Sequence, residues 1–420
     1  MYRVEVIRKE GKETLFYDSV KHTFLGICGE KNFSPYPPFR MVRLRLFTGH
    51  SCNMNCAYCI QKDFNSKNVL PVSDKDIESL RKSIVWYYRK QSGETPLPLS
   101  LSIIGGEPLL YWDSIIKLLE SLREDIKDIH AGLITNGLLF TGDKAKYALD
   151  HNISMTLSHD GKGQFLRGKD PLAVGTESYK AWKFYTKNCL PGKFSVSTTL
   201  TSRNFDIKDI RDFISKKLGC EVHLGASDMC MCLSDVDIDN FSIPSTKLQE
   251  CSNAMASACL SDGVEYYNTI GSYVENFFTA WNGGVEADIP LGPCNALAPL
   301  PYVITWKGHL LRCATTGVHG EFGVNASPNL VGNLHEWRTN SYSIEKMEEL
   351  TRTNRPVSVD AECRECIWLH TCRGPCPILD GNGRKVHCEE KKIVSGVAFF
   401  VFLFQLYPDI ITYTITKEPE

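Results

Sequence analysis

Residues 43–61 read RLRLFTGHSCNMNCAYCIQ. The apolar positions of Val42–Phe47 alternate with arginines in the manner of a strand. Directly behind them Cys52, Cys56 and Cys59 stand in a C-x3-C-x2-C spacing. Three thiolates on one loop can hold three irons of a cubane cluster and leave the fourth iron open to a ligand. A structural zinc site takes four ligands, normally from paired knuckles, and no fourth lies nearby. The C-terminal end of a barrel strand is also where βα loops build active sites.

Working outward, short apolar runs alternate with helical patterns from residue 41 to about 225, as in a parallel sheet covered by crossover helices. Six strands are expected: Val42–Phe47, Leu99–Ile104, 132–135, 153–158, 194–201 and 221–225. The first crossover begins with a cap signal, Ser73 with Asp76 three residues on, and places Ile77, Leu80, Ile84 and Tyr88 on one helical face. Helices over 112–124, 143–150, 177–187 and Ile207–Leu218 fill the other crossovers. The fold class is therefore α/β, an open partial (β/α)6 barrel.

A chain of 420 residues with 43% apolar content has ample material for a core and suggests two or three domains. Its 47 basic and 49 acidic residues leave a net charge of −2, which advertises neither nucleic acid nor an anionic membrane as partner. The first residues show no uninterrupted apolar run and no small-residue cleavage site, so a cytoplasmic location with reduced thiols is expected. The apolar run 393–407 is shorter than the roughly 20 residues a membrane span needs and reads as a packed terminal helix. The 17 cysteines are odd in number and clustered, which points to metal or redox chemistry.

The texture of the chain divides it into five parts. Residues 1–40 read as a hairpin region around Glu10-Gly11-Lys12, and 41–240 as the barrel. Residues 241–285 form a helical bridge with Tyr266, Tyr267, Ile270, Tyr273 and Phe277 on one stripe. A Cys-rich domain follows over 286–392, and 393–420 form a terminal helix and tail.

The cysteine motif, with Tyr58 before its last cysteine, resembles that of the radical S-adenosylmethionine (SAM) enzymes. The resemblance implies that the loop Gly105-Gly106-Glu107 after the second strand holds the SAM amino group, the glycines admitting close backbone approach. It implies further that Tyr58 belongs to the SAM site, that Ser158 faces the SAM ribose or carboxylate, and that Arg167 pairs with that carboxylate. Asn136 and Asp160 read equally well as polar lining or as caps at loop starts.

Downstream, Cys294, Gly308 and Cys313 are spaced C-x13-G-x4-C. Cys363, Cys366, Cys372 and Cys376 follow as C-x2-C-x5-C-x3-C, with Cys388 eleven residues later. These seven cysteines resemble the SPASM extension carried by a subset of radical SAM enzymes. By that resemblance Cys294, Cys313 and Cys376 hold one auxiliary [4Fe-4S] cluster, and Cys363, Cys366, Cys372 and Cys388 hold another. Asp288, Cys251, Cys259 or an open position completes the first. The cofactors implied are thus three [4Fe-4S] clusters and SAM. Of the remaining cysteines, Cys230 and Cys232 attract attention because strand alternation would aim both at the barrel mouth.

The resemblance implies reductive cleavage of SAM to a 5′-deoxyadenosyl radical that abstracts hydrogen from a ribosomal peptide, leading to an oxidative thioether or carbon–carbon crosslink. No catalytic residue is assigned. The implied partners are the peptide, with or without a separate leader-binding protein, and an electron donor such as flavodoxin or ferredoxin. The alternative is an anaerobic sulfatase-maturating enzyme that makes formylglycine. Ala314, where that group tends to carry an acidic residue, counts against it. A non-enzymatic zinc-ribbon module is the third reading.

Overall fold

The computed structural model describes residues 1–19, 21–25, 41–62, 65, 67–230, 232, 234–282, 303–313, 330–353, 361–372, 374, 376, 379 and 381–418. The N-terminal hairpin is present, β1 (Tyr2–Arg8) against β2 (Gly11–Asp18), and β3 (Thr23–Leu25) extends it. Then come β4 (Val42–Phe47), α1 (Asp74–Ser92), β5 (Leu99–Ile104), α2 (Trp112–Asp125), β6 (Ile129–Thr135), α3 (Gly142–Asp150), β7 (Ser154–Ser158), α4 (Glu177–Asn188), β8 (Phe194–Leu200), α5 (Ile207–Leu218) and β9 (Leu224–Met229). Strands β4 to β9 pair in sequence order and all in parallel, which is the expected six-unit barrel wall.

Local chemistry accounts for these elements. Along β4, Val42, Leu44 and Leu46 are buried on the core face. Ser73 and Asp76 form the capping box that starts α1, whose buried face includes Ile77, Leu80, Ile84 and Tyr88. Helix α5 starts on the Asp206 side chain and ends at Gly219, which sits at φ 76°, the left-handed region glycine enters without strain.

Strand β9 and the bridge differ from expectation. Strand β9 begins three residues later than 221 and runs through Ser227 and Asp228 to Met229. Its second half faces a cavity, so its residues are polar and hide the strand in an apolar count. The bridge is two helices, α7 (Leu248–Asp262) and α8 (Asn268–Trp281), after α6 (Asp235–Phe241). They are broken at Gly263, which sits at φ 103°. Tyr266 leaves the expected stripe and lies under the Arg211 guanidinium, 4.1 Å away, while Tyr267 is buried.

The downstream part adds β10 (Val303–Thr305), β11 (His309–Leu311) and β12 (Leu330–Asn333), then α9 (Leu334–Thr339), α10 (Ile344–Thr353), α11 (Ala361–Arg364) and α12 (Leu369–Cys372). Strand β10 pairs in parallel with the free side of β4, and β11 and β12 continue antiparallel, so one nine-stranded sheet joins both parts. The terminal helix, α13 (Gly381–Leu406), begins twelve residues before 393, so the boundary drawn there falls inside one element. Its first half is charged and conceals the helical period, although His387 and Glu390 are buried. Its second half packs Phe399 and Phe402 on Phe277 and Phe278 of α8, with ring centroids 4.9 Å apart in two of the pairs.

The tail is a strand. β13 (Ile410–Lys417) pairs antiparallel with β1 from Tyr2↔Lys417 onward, and the order β13-β1-β2-β3 makes a four-stranded sheet. No helix among the described residues is long and apolar enough to cross a membrane.

Candidate active site

The loop after β4 is laced to the loop after β5. Thr48 N–H donates to Ile104 O at 2.8 Å, Gly106 N–H to Gly49 O at 2.8 Å, and Glu107 N–H to Ser51 O at 2.8 Å. A Cβ on Gly106 would stand 2.5 Å from the Ser51 carbonyl, and one on Gly105 would run into the Thr48 hydroxyl. The two glycines therefore line the cavity, but the space their missing side chains leave is filled by the cysteine loop itself.

Glu107 is held by its own chain. Its side chain is fully buried and accepts from Leu109 N–H at 2.9 Å, the Thr135 hydroxyl at 2.6 Å and Asn136 N–H at 2.8 Å. Burial pushes its carboxyl up to about 7 against the pull of those donors. It ties the ends of β5 and β6 together behind the cavity wall. Asn136 lines the cavity; its amide donates to Asn53 at 2.7 Å on the cysteine loop, and its oxygen accepts from Leu138 N–H at 3.1 Å.

A second buried node lies opposite. The Tyr58 hydroxyl donates to Asp160, and Arg167 Nε lies 3.1 Å from the same carboxylate oxygen. Asp160 also accepts from Thr199 N–H at 3.0 Å and the Thr198 hydroxyl at 3.2 Å, and the Arg167 guanidinium lies 5.6 Å from the centre of the Tyr58 ring. Arg167 lines the cavity, but its charge already has a carboxylate partner in this chain. Ser158 lines the same cavity.

The cavity holds about 550 Å³ and takes in Cys52, Cys56 and Cys59 together. Burial pushes the three thiols up, Cys56 to about 11, with Arg167 pulling Cys56 and Cys59 the other way. Among the described residues no three Cys, His, Asp or Glu side chains stand at metal-binding separation. The donor set nevertheless fits a cluster: three thiols on one loop, a buried cation behind them, and open volume in front to receive a ligand.

The cavity continues to the downstream part, where Arg312, Cys313, Cys376, His387 and Lys391 line it. Cys366 and Cys388 both act electrostatically on the Cys372 thiol, which burial pushes up to about 11. Cys363 shares a turn with Cys366, whose N–H donates to Cys363 O at 3.1 Å. Cys294, Asp288 and Ala314 lie outside the described residues. Cys251 and Cys259 are buried in α7, away from the cavity, and burial pushes both thiols up to about 12. Cys230 lines the cavity, while Cys232 turns inward toward the Asp237 carbonyl, 3.3 Å away.

Sequence reading missed His387 and Lys391, and also Asp228 on β9. The signal for the first two is their spacing of four residues, which becomes informative only once α13 is known to start at Gly381.

Comparison with known proteins bears on this geometry. Residues 41–163 match the family model of a 4Fe-4S single cluster domain. The radical SAM cyclopropyl synthase TigE of Paramaledivibacter caminithermalis is 28% identical over 129 residues, 28% of this chain and 26% of that protein. The cysteine-type anaerobic sulfatase-maturating enzyme of Clostridium perfringens is 21% identical over 345 residues, 77% of this chain and 85% of that one. Among solved structures, native anSMEcpe with bound AdoMet and the Cp18Cys peptide aligns with a TM-score of 0.63 at 18% identity, covering 88% of this chain and all of that one. Streptococcus suis SuiB bound to its precursor peptide SuiA aligns at 0.51 with 19% identity, covering 81% and 72%.

The fold is that of the solved anSMEcpe and SuiB structures, and in sequence parts of the chain are similar to the radical SAM cyclopropyl synthase and to the sulfatase-maturating enzyme. It spans about a quarter of the length of the cyclopropyl synthase it matches and about half that of a GTP 3′,8-cyclase from Clostridium perfringens.

Proposed function

We propose that this chain is a peptide-modifying radical SAM enzyme with an auxiliary-cluster domain of the SPASM kind. The observation that carries the reading is the single cavity shared by the Cys52, Cys56 and Cys59 loop, the ends of β6 to β9, and Cys313 and Cys376 downstream. A four-iron cluster bound to the first three thiols would supply the electron that cleaves SAM to a 5′-deoxyadenosyl radical. The chain's own residues have plainer tasks. Glu107 and Asp160 hold the strand ends and the Tyr58–Arg167 pair in place, Gly105 and Gly106 let the two loops close together, and Ser158 and Asn136 offer polar contacts at the cavity wall.

In this reading Cys294, Cys313 and Cys376 hold one auxiliary cluster and Cys363, Cys366, Cys372 and Cys388 the other, in line with the mutual influence of Cys366, Cys372 and Cys388. The substrate is a ribosomal peptide that loses two hydrogens to form a thioether or carbon–carbon bond, delivered alone or by a leader-binding protein, with flavodoxin or ferredoxin as electron donor. Solved relatives with bound peptides support a peptide substrate. The second reading, formylglycine formation on a sulfatase, is favoured by the span of the likeness to the sulfatase-maturating enzyme.

One experiment tests both. Anaerobically reconstituted protein is assayed for iron, about twelve per chain being expected, and for 5′-deoxyadenosine made from SAM and dithionite. Peptides encoded beside the gene and a sulfatase peptide are then examined by mass spectrometry. Loss of two hydrogens from the former supports crosslinking, and oxidation of the sulfatase cysteine or serine supports the alternative. Colourless protein that binds zinc and leaves SAM intact refutes both.

A further inference from the structure

Helix α13 brings two side chains to the far wall of the cavity, His387 and, one turn on, Lys391. His387 is buried, 6% exposed, and Lys391 is mostly covered, its side chain 13% exposed. The His387 Nδ1 has no hydrogen-bond partner. Lys391 bonds to the Tyr273 hydroxyl, and its nearest carboxylate, Asp228, stands 3.8 Å away with 61% of its side chain in solvent. That separation is an ion pair without a hydrogen bond. A buried ammonium normally demands a closer and drier counter-charge. Arg45 and Arg312 line the same cavity, and Asp228 is its one lining carboxylate among the described residues. The wall is therefore cationic, with unused hydrogen-bonding capacity.

We propose that Lys391 and His387 form the subsite that receives a carboxylate of the substrate, an acidic side chain or the C-terminus of the peptide; this rests on the peptide-modifying function proposed above. The ammonium supplies charge, the imidazole a second polar contact one helical turn away, and the two together fix the orientation of the peptide in front of the cysteine loop. Helix α13 thus serves both parts of the chain, since it also carries Cys388.

A competing role is visible, because the Cys372 thiol also acts on Lys391. The ammonium would then offset the charge of the outer cluster, and the test must separate the two.

The reconstituted full-length protein with SAM is titrated with three small probes, acetyl-glutamate amide, acetyl-glutamine amide and acetyl-alanine with a free carboxylate, followed by saturation-transfer NMR. The glutamate probe is expected to bind about tenfold or more tightly than its neutral glutamine isostere. Lys391→Met should abolish that preference, Lys391→Arg should keep most of it, and His387→Phe should reduce it severalfold. Selective binding of acetyl-alanine supports the subsite with the peptide C-terminus as its occupant. Equal binding of the glutamate and glutamine probes to the unaltered protein, a measurement independent of how any variant folds, overturns the proposal. So does a Lys391→Met protein that binds like wild type, or one in which only the electron paramagnetic resonance signal of the outer cluster moves. Formation of 5′-deoxyadenosine by the wild-type protein is read separately, so failure of the enzyme reading is distinguishable from failure of the subsite.

Discussion

The two cysteine regions are built in opposite ways. Cys52, Cys56 and Cys59 sit on one loop, shaped by backbone hydrogen bonds to the neighbouring loop and backed by a parallel sheet whose strands are closed by apolar burial. Among the described residues the downstream cysteines are scattered: Cys313 lies just past β11, Cys363 and Cys372 on the four-residue helices α11 and α12, Cys388 on α13, and Cys366 and Cys376 between elements. A loop placed on a finished sheet can hold its shape before metal arrives. Cysteines on four-residue helices have little apolar surface of their own to fix them, so if they hold the cluster proposed above, metal binding and folding would be coupled more strongly there.

The sharpest way to break this contrast is Cys56→Ala. It should lower SAM cleavage by roughly a thousandfold or more and remove about four irons, with the melting temperature nearly unchanged, because the barrel core is untouched. Liquid chromatography of 5′-deoxyadenosine and iron analysis check it. Chelation of all iron should act in the other direction. Amide exchange at Cys363, Cys366 and Cys372 should quicken about tenfold or more while β4 to β8 stay protected.

Glu107 sharpens the picture of the finished scaffold. Its folded carboxyl is held near 7 against 4.5 in the unfolded chain, so the fold favours the protonated form. That stabilisation is complete below about pH 4.5 and is lost as pH rises to 7, a swing on the order of 3 kcal/mol. Glu107→Gln should flatten this slope in denaturant titrations across that window. Gly106→Ala forces a methyl to within 2.5 Å of the Ser51 carbonyl and should cost about 2 kcal/mol, with loss of iron from the barrel loop alone. The smallest effect is expected of Cys251→Ala: about 1 kcal/mol of stability and no change in iron, since Cys251 is packing within α7. A loss of iron there would place the auxiliary ligand set on the bridge.

Much of the barrel could be read directly. Strands β4 and β5 and helix α5 lie where their patterns placed them, and Ser73 caps α1 as its spacing with Asp76 indicated. Strand β9 was displaced because its cavity-facing residues are polar. The start of α13 was hidden because Arg384, Lys385, Glu389 and Lys392 interrupt the apolar period. The addition of β10 to the edge of β4 had no local signature, since an edge-to-edge pairing between distant segments leaves none.

What the sequence determined by itself was the chemistry available at one strand end and the periodicity that builds the wall behind it. Both are local: three thiols in eight residues, and apolar spacing within a helix or strand. Only the tertiary structure decided which charges meet, because those contacts join residues far apart along the chain. Glu107 turned from the cavity toward Thr135 and Asn136, Arg167 closed on Asp160, and a helix expected as a tail carried His387 and Lys391 to the cavity. Buried charges take the partners that folding brings within reach, and the cost of leaving them unpaired makes those partners decisive.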